Sequence, residues 1–332
     1  MIKKNLKKQN IVLLFGLIVL LIVPMFVVRN YVISILVYCL AFAALGSAWN
    51  LIGGYGGQIS WSHAGFLAIG AYSSVLCVRY LGMSPWTSLP VGVILSYILA
   101  TLIGYGTFKL TGAYFSLATM AFSEILRILL LYFKGFTGGA AGTYIPPSLE
   151  KGIKYLMFQN DRPFYYIMLI LLVLVVVISA VFENTKTGKY LRAIKENETA
   201  ALSLGIETFK VKLTAFQLSA VITSVIGAFY GSFLGFIDPF SVAGNDLAVK
   251  IGLVAIIGGL GTIVGPIMGA FIIIPLIEFA GVLFGARGGS QLLYGLGIIL
   301  IVMFMPDGLI QVFRNLGKKK KKEEPASTKE GG

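Results

Sequence analysis

The chain is poor in the groups that chemistry in water relies on. Only 12% of its 332 residues are charged, against about a quarter in an average soluble domain. That excludes an ordinary soluble globular domain. Histidine occurs once, at His63, so neither a histidine-built metal centre nor a relay of several titratable groups is available. The two cysteines, Cys39 and Cys77, both lie inside hydrophobic runs and read as small buried apolar side chains rather than a disulfide. The glycine-rich stretch 53–57 lacks a following Gly-Lys-Ser/Thr, so no phosphate-binding loop is present and this chain cannot hydrolyse ATP itself. No histidine cluster, acid pair or nucleophile–base pair supports catalysis.

What is abundant is apolar surface and glycine. Hydrophobic residues make up 57% of the chain and glycines number 40; the mean hydropathy is +0.87. The apolar runs are continuous rather than alternating, which excludes a closed β-barrel. The fold class is all-α, a polytopic membrane protein, with glycines allowing close helix approach. A span needs about 20 apolar residues. On that measure about ten transmembrane helices are expected, at 11–28, 31–51, 64–80, 86–108, 112–133, 164–182, 213–236, 247–260, 266–284 and 290–305. The eighth is short, as a tilted, broken or re-entrant element would be. Glycine-rich joints at 52–57 and 258–265 imply tight turns. The lysines and apolar stretch at the N-terminus resemble a signal peptide, but no small-x-small cleavage site follows, and the segment reads as a retained first span.

Lys3, Lys4, Lys7, Lys8, Lys109, the basic residues of 183–212 and those after residue 306 fall on one side of such a bundle. They account for most of the 27 Lys and Arg residues. The positive-inside rule makes that side cytoplasmic, together with both termini. The net charge of +13 is therefore an orientation and lipid-headgroup signal, not a nucleic-acid footprint. The expected organisation is a basic cytoplasmic N-terminus at 1–10, a transmembrane domain at 11–309 and a disordered charged tail at 310–332. The longest external loop, 134–162, reads either as a docking surface or as a passive connector.

Residues 183–212 form a charged amphipathic segment between two hydrophobic runs. Tyr190, Leu191, Ala193, Ile194, Ala200, Ala201, Leu202 and Leu204 interleave with Lys189, Arg192, Lys195, Glu196 and Glu198. A helix over 189–205 is expected, following Gly188 and closed by Gly205 in the left-handed position. It reads either as a helix lying on headgroups or as a coupling helix seated in a groove of a cytoplasmic ATPase. Glu124 and Arg127, three apart within a span, are placed to pair on one helical face, either locking a packed interface or lining a pathway. Lys250 is expected to snorkel, toward Asp246, and Glu278 to pair across helices. His63 reads as a structural hydrogen-bonding group. The sequon Asn197-Glu198-Thr199 has no glycosylation role on a cytoplasmic face.

Four blocks in order carry a resemblance. Thr187-Gly188-Lys189-Tyr190-Leu191-Arg192-Ala193-Ile194-Lys195-Glu196 through Ala200-Ala201-Leu202-Ser203-Leu204-Gly205-Ile206 resembles the cytoplasmic loop of branched-chain amino-acid ABC permeases. Asn50-Leu51-Ile52-Gly53-Gly54-Tyr55-Gly56-Gly57-Gln58-Ile59-Ser60 with His63-Ala64-Gly65-Phe66 resembles that family's early glycine-rich segment. Gly112-Ala113-Tyr114-Phe115 through Glu124-Ile125-Leu126-Arg127 with Thr137-Gly138-Gly139 is similar to the M-type subunit rather than its H-type partner. Gly258-Gly259-Leu260-Gly261-Thr262 with Gly265-Pro266 and Met305-Pro306-Asp307-Gly308-Leu309 is similar to the C-terminal third. Against the general importer motif, Glu198 stands one residue early and the hydrophobic-x-Leu-Pro ending is absent.

The resemblance implies a type II ABC importer-like permease bundle, one transmembrane half of an importer for branched-chain or similarly apolar amino acids. Related permeases for urea or amides, and an ion-coupled secondary transporter, are the alternatives. The implied partners are an H-type permease, two ATP-binding subunits and an extracytoplasmic substrate-binding protein. This chain would hold no cofactor, ATP and Mg residing on the partner subunits. Gly188, Arg192, Ala193, Glu198, Ala200, Ala201 and Gly205 are the implied ATPase-coupling positions. Gly53, Gly54, Gly56, Gln58, Gly258, Gly259 and Gly261 are the implied pathway or packing segments.

Overall fold

The computed structural model describes residues 16–27, 29–146 and 152–284, with two isolated positions at 295 and 303. The N-terminal tail, the expected span at 290–305, the block Met305–Leu309 and the tail 310–332 lie outside the described residues.

Among the described residues, eight helices are long and apolar enough to cross a membrane. After a shorter apolar helix α1 (Gly16–Phe26) come α2 (Asn30–Ile52), α3 (His63–Leu81), α4 (Pro85–Thr107) and α5 (Ala113–Tyr132). A short α6 (Lys134–Thr137) and strand β1 (Thr143–Tyr144) precede α7 (Arg162–Asn184). The polar segment holds α8 (Lys186–Glu196) and α9 (Glu198–Ser203). Then follow α10 (Thr208–Leu234), β2 (Phe236–Ile237), α11 (Pro239–Ala243), α12 (Asn245–Gly258) and α13 (Gly265–Phe284).

Helix starts follow local chemistry. Ser84 caps α4 by accepting from the Thr87 amide, ahead of Pro85 in the first turn, a position where a missing N–H costs nothing. Asp238 and Ser241 form a capping box that starts α11. Gly244 then separates α11 from α12 in extended backbone, so the eighth span is a broken one, as its short apolar run foreshadows.

The helix α2 is the hub. It packs against α7, α10, α12 and α13, and its residues from Cys39 to Ile52 are all buried. A second centre is the contact of α10 with α3 and α4. Here Gly227 and Gly231, four apart, face the α3 backbone. A Cβ on Gly227 would lie 2.3 Å from the Leu67 carbonyl oxygen, and one on Gly231 would lie 2.9 Å from the Ala71 Cβ. Small residues at this spacing bring two backbones together, and dispersion between them replaces the hydrophobic drive that lipid cannot supply. The span α5 is the least buried; Tyr114, Leu117, Ile125, Ile128 and Tyr132 turn outward, facing lipid or a partner.

The two ends of the bundle differ. At one end lie the turn after α2, the α8–α9 hairpin and the turn between α12 and α13. At the other, β1 and β2 form a two-residue antiparallel ladder, and the Arg79 guanidinium donates to Thr143 Oγ1 at 2.5 Å. For the spans that lie wholly on described residues the expected limits hold to within a few residues, with two exceptions: the eighth span takes in α11 and runs Pro239–Gly258 rather than 247–260, and α10 begins at Thr208 rather than 213. Its first turns carry Lys210 and Lys212, which end an apolar window but not a helix.

Candidate functional site

The amphipathic segment is two helices, not one over 189–205. The chain turns sharply out of α7 at Thr185, whose hydroxyl accepts from the Gly188 amide at 3.1 Å and caps α8. A Cβ on Gly188 would lie 2.2 Å from the Phe182 carbonyl oxygen, so the turn itself requires glycine there. Asn197 then breaks the helix in extended backbone, φ −159°. Its Oδ1 accepts from the Ala200 amide at 3.0 Å and starts α9, the usual preference of Asn for a cap over a helix interior. Gly205 closes α9 at φ +79°. Its amide bonds Leu202 and the Ile206 amide bonds Ala201, a paired C-terminal closure that favours glycine at the left-handed position.

The hairpin has an inner face fixed to the bundle. Leu191, Ile194 and Ala201 are buried. Lys195 donates to the Gly54 carbonyl at 2.9 Å, closing over the turn that follows α2. Arg192 pairs with Glu183 at 2.5 Å, and its guanidinium lies 5.1 Å over the Tyr55 ring. The Tyr55 hydroxyl donates to the other Glu183 oxygen at 3.3 Å. Burial, and then the Glu183 carboxylate, push the Tyr55 phenol upward, which keeps it a protonated donor. Lys212 is almost fully buried and pairs with Glu198 at 2.6 Å. The positions Arg192 and Glu198 thus make intramolecular contacts that hold the hairpin in place.

Removing Glu198 leaves the Lys212 ammonium buried and unpaired. We expect Glu198→Ala to destabilise the protein by about 1–3 kcal/mol, discounted because the carboxylate is partly exposed. Adding Lys212→Met should restore most of the loss. Thermal midpoints of the solubilised single and double variants check this, and an unperturbed Glu198→Ala would contradict it.

The outer face is exposed: Lys189, Tyr190, Ala193, Glu196, Ala200, Leu202 and Leu204. Leu204 is 81% exposed. Apolar side chains raised on a polar hairpin invite a protein groove or headgroups.

Below the inner face the two glycine joints meet. Asn50, buried at the end of α2, donates through Nδ2 to the Thr262 carbonyl at 3.0 Å. Its Oδ1 accepts from the Gly261 amide at 2.9 Å. A Cβ on Gly54 would lie 1.8 Å from that Oδ1 and 2.6 Å from the Gly261 nitrogen. Gly258 is as confined, its added Cβ falling 1.9 Å from the Gly265 carbonyl oxygen. Gly53 and Gly56 lie buried in the first turn, Gln58 is half-buried after it, and Gly259 lies buried in the second. The expected segments are therefore one contact zone, and Lys195 joins the hairpin to it.

Glu124 and Arg127 do pair, with Arg127 Nε donating at 3.0 Å. The guanidinium lies 4.9 Å over the Phe240 ring, which ties α5 to α11. Glu124→Ala should therefore lower the thermal midpoint by the equivalent of about 1 kcal/mol, and Arg127→Ala in the same chain should recover part of it; a fully tolerated single change would contradict the pairing role. His63 is buried with Nε2 2.7 Å from Ser219 Oγ, and Ser219 donates to the Ala48 carbonyl at 2.6 Å, a structural bridge between α3, α10 and α2. Cys39 and Cys77 are unpaired.

The family model for the permease component of branched-chain amino acid transport systems matches residues 31–305. The chain belongs to that family. The permease is 29% identical over 92% of its length to the high-affinity branched-chain amino acid transport system permease protein LivM of Escherichia coli K12, covering 76% of that protein. The LivM protein of Salmonella typhimurium LT2 matches with the same identity and coverage. A permease protein of the autoinducer 2 import system, LsrC of Yersinia enterocolitica, is 26% identical over 74% of this chain and 69% of its own. No solved structure matches the permease significantly. Its identity as a transport subunit, rather than an enzyme, accords with the missing phosphate-binding loop.

Several residues that build this zone stand within the sequence blocks above without being singled out as contacts: Asn50, Tyr55, Glu183, Lys195 and Lys212. Two of them carried a signal. Asn50 and Lys212 are polar residues in or beside apolar windows, where an unpaired group is costly and a partner is to be sought.

Proposed function

We propose that this chain is one transmembrane half of an ATP-driven importer for branched-chain and similarly apolar amino acids, in a prokaryotic cell membrane. It pairs with an H-type permease, two ATP-binding subunits and an extracytoplasmic binding protein. The ATP and Mg belong to the ATP-binding subunits, and this chain holds no cofactor. The observation that carries the reading is the two-faced hairpin, its inner face pinned to the first glycine joint, which meets the second through Asn50, and its outer face raising Tyr190, Leu202 and Leu204 among polar residues. The Lys and Arg bias supports a cytoplasmic position for that hairpin. In such a position it receives motion from an ATP-binding subunit and passes it to the ends of α2, α12 and α13.

Within this reading the coupling positions divide by role. Tyr190, Ala193, Ala200, Leu202 and Leu204 meet the ATP-binding subunit. Gly188, Arg192, Glu198, Ala201 and Gly205 keep the hairpin rigid, and Lys195 hands the displacement to the Gly54 turn. Closure of the ATP-bound dimer then biases which side of the bundle is open, a rigid-body switch suited to glycine-rich contacts.

The test is uptake of labelled L-leucine by membrane vesicles carrying the chain with its partner subunits and binding protein. Uptake should require ATP, stop with vanadate and persist when a protonophore collapses the ion gradient. Uptake that ignores vanadate and stops with the protonophore would instead establish an ion-coupled carrier.

A further inference from the structure

A cavity of about 330 Å³ opens between α2, α10, α11, α12 and α13, toward the end of the bundle opposite the α8–α9 hairpin. Its depth follows from the helices that wall it. Tyr38 is eight residues into α2 from Asn30, roughly 12 Å at the helical rise of about 1.5 Å per residue. Asp246 and Lys250 occupy the first turns of α12, and Glu278 belongs to α13. The volume falls at the small end of the range of about 300–1,000 Å³ typical of ligand pockets.

The lining is what makes the cavity unusual. Asp246, Lys250 and Glu278 share it with Phe42, Ile274 and Ile277. Among the described residues no ion pair within 4.0 Å involves any of these three charged side chains. Where the sequence predicts that Lys250 snorkels toward Asp246 and that Glu278 pairs across helices, the three instead face a common space. Ionisable side chains inside a bilayer-spanning bundle are costly and belong to water-filled cavities or to pathways. Asp246 also sits in the first turn of α12, where the helix dipole favours an anion, but that explains neither Lys250 nor Glu278. The aromatic wall is packed: the Tyr38 and Tyr230 rings meet edge to face with centroids 6.1 Å apart.

We infer that this cavity receives a small apolar α-amino acid in its zwitterionic form. The Lys250 ammonium meets the ligand carboxylate, Glu278 and Asp246 meet its ammonium, and Phe42, Ile274 and Ile277 take the apolar side chain. A ligand with both charges would supply the counter-ions that these side chains lack among the described residues. The inference rests on the transport reading above and adds to it a recognition site within the permease itself, separate from any selection made outside the membrane.

The experiment is equilibrium binding of labelled L-leucine to the intact solubilised complex of this chain with its permease partner and ATP-binding subunits, without binding protein. Saturable binding is expected, competed by L-leucine. 4-Methylpentanoate, which lacks the ammonium, and isoamylamine, which lacks the carboxylate, should each compete at least tenfold more weakly. Lys250→Met should weaken binding at least tenfold, and Glu278→Gln should do so as an independent variant if the first fails to assemble. Ile274→Trp, which fills the cavity, should abolish binding while the subunits still co-purify. Equal competition by all three compounds, or unchanged binding in the assembled variants, would overturn the proposal. ATP-driven leucine uptake by a complex that shows no such binding would overturn it alone and leave the importer reading standing. Absence of uptake with the binding site intact would overturn the importer reading and support the site.

Discussion

Gly54→Val is expected to abolish ATP-driven uptake while the chain is still inserted in the membrane. The side chain has nowhere to go. Its Cβ alone would overlap Asn50 Oδ1, and it would drive into the Gly261 amide. The two glycine turns would separate, and Asn50 would lose bonds to Gly261 and Thr262. Each buried backbone group left without a partner costs about 1–3 kcal/mol, and the Lys195 contact to the Gly54 carbonyl would be displaced as well. Gly106→Ala is the matched control, because a Cβ on Gly106 of α4 meets nothing within 4 Å. Labelled-substrate uptake, normalised to the amount of chain in the membrane, should fall at least tenfold for Gly54→Val and stay near wild type for Gly106→Ala. A milder Asn50→Ala should give an intermediate loss. Normal uptake by Gly54→Val would mean that the contact between the turns plays no part in transport.

Gly227→Leu should strongly destabilise the membrane core. Where an added Cβ approaches the Leu67 carbonyl oxygen to 2.3 Å, α3 and α10 must move apart. Overpacking a tight site costs about 1–3 kcal/mol. The cost here should reach the upper end, because the obstacle is backbone rather than a side chain that can swing away. His63 and Ser219 lie along the same interface, so their bridge to α2 would loosen too. The thermal midpoint of the solubilised chain, followed by size-exclusion chromatography after heating, should drop by several degrees. Adding Gly231→Leu should prevent recovery of a monodisperse protein. An unchanged midpoint for Gly227→Leu would show that these two helices are not held by small-residue contact.

Much of the fold could be read from hydropathy because the bilayer imposes it. Continuous apolar runs give helices of nearly fixed length, and the expected limits of α2, α3, α4 and α5 lie within about two residues of those observed. The exceptions are places where polarity and helicity part company. Lys210 and Lys212 interrupt an apolar window, yet α10 runs through them, and Glu198 neutralises the buried Lys212. Asn197 divides one expected helix into two because its side chain satisfies the amide of Ala200, a local competition that amphipathic periodicity does not register.

The candidate site was legible as segments but not as contacts. The glycine blocks around Gly54 and Gly261 stand out in the sequence, whereas their meeting depends on α2 and α12 ending at one level, with Asn50 between them. Arg192 and Glu198 stood out as charged residues of a surface helix. Their partners, Glu183 and Lys212, lie nine and fourteen residues away, beyond the reach of one helical face.

What touches the outer face of the α8–α9 hairpin decides the coupling role, and a photo-crosslinking residue in place of Leu204 identifies it directly. Placed in native membranes with the partner subunits present, it should trap an ATP-binding subunit, with the adduct yield changing when ATP is added. Adducts formed only with lipid would place the hairpin on the headgroups and contradict the coupling role.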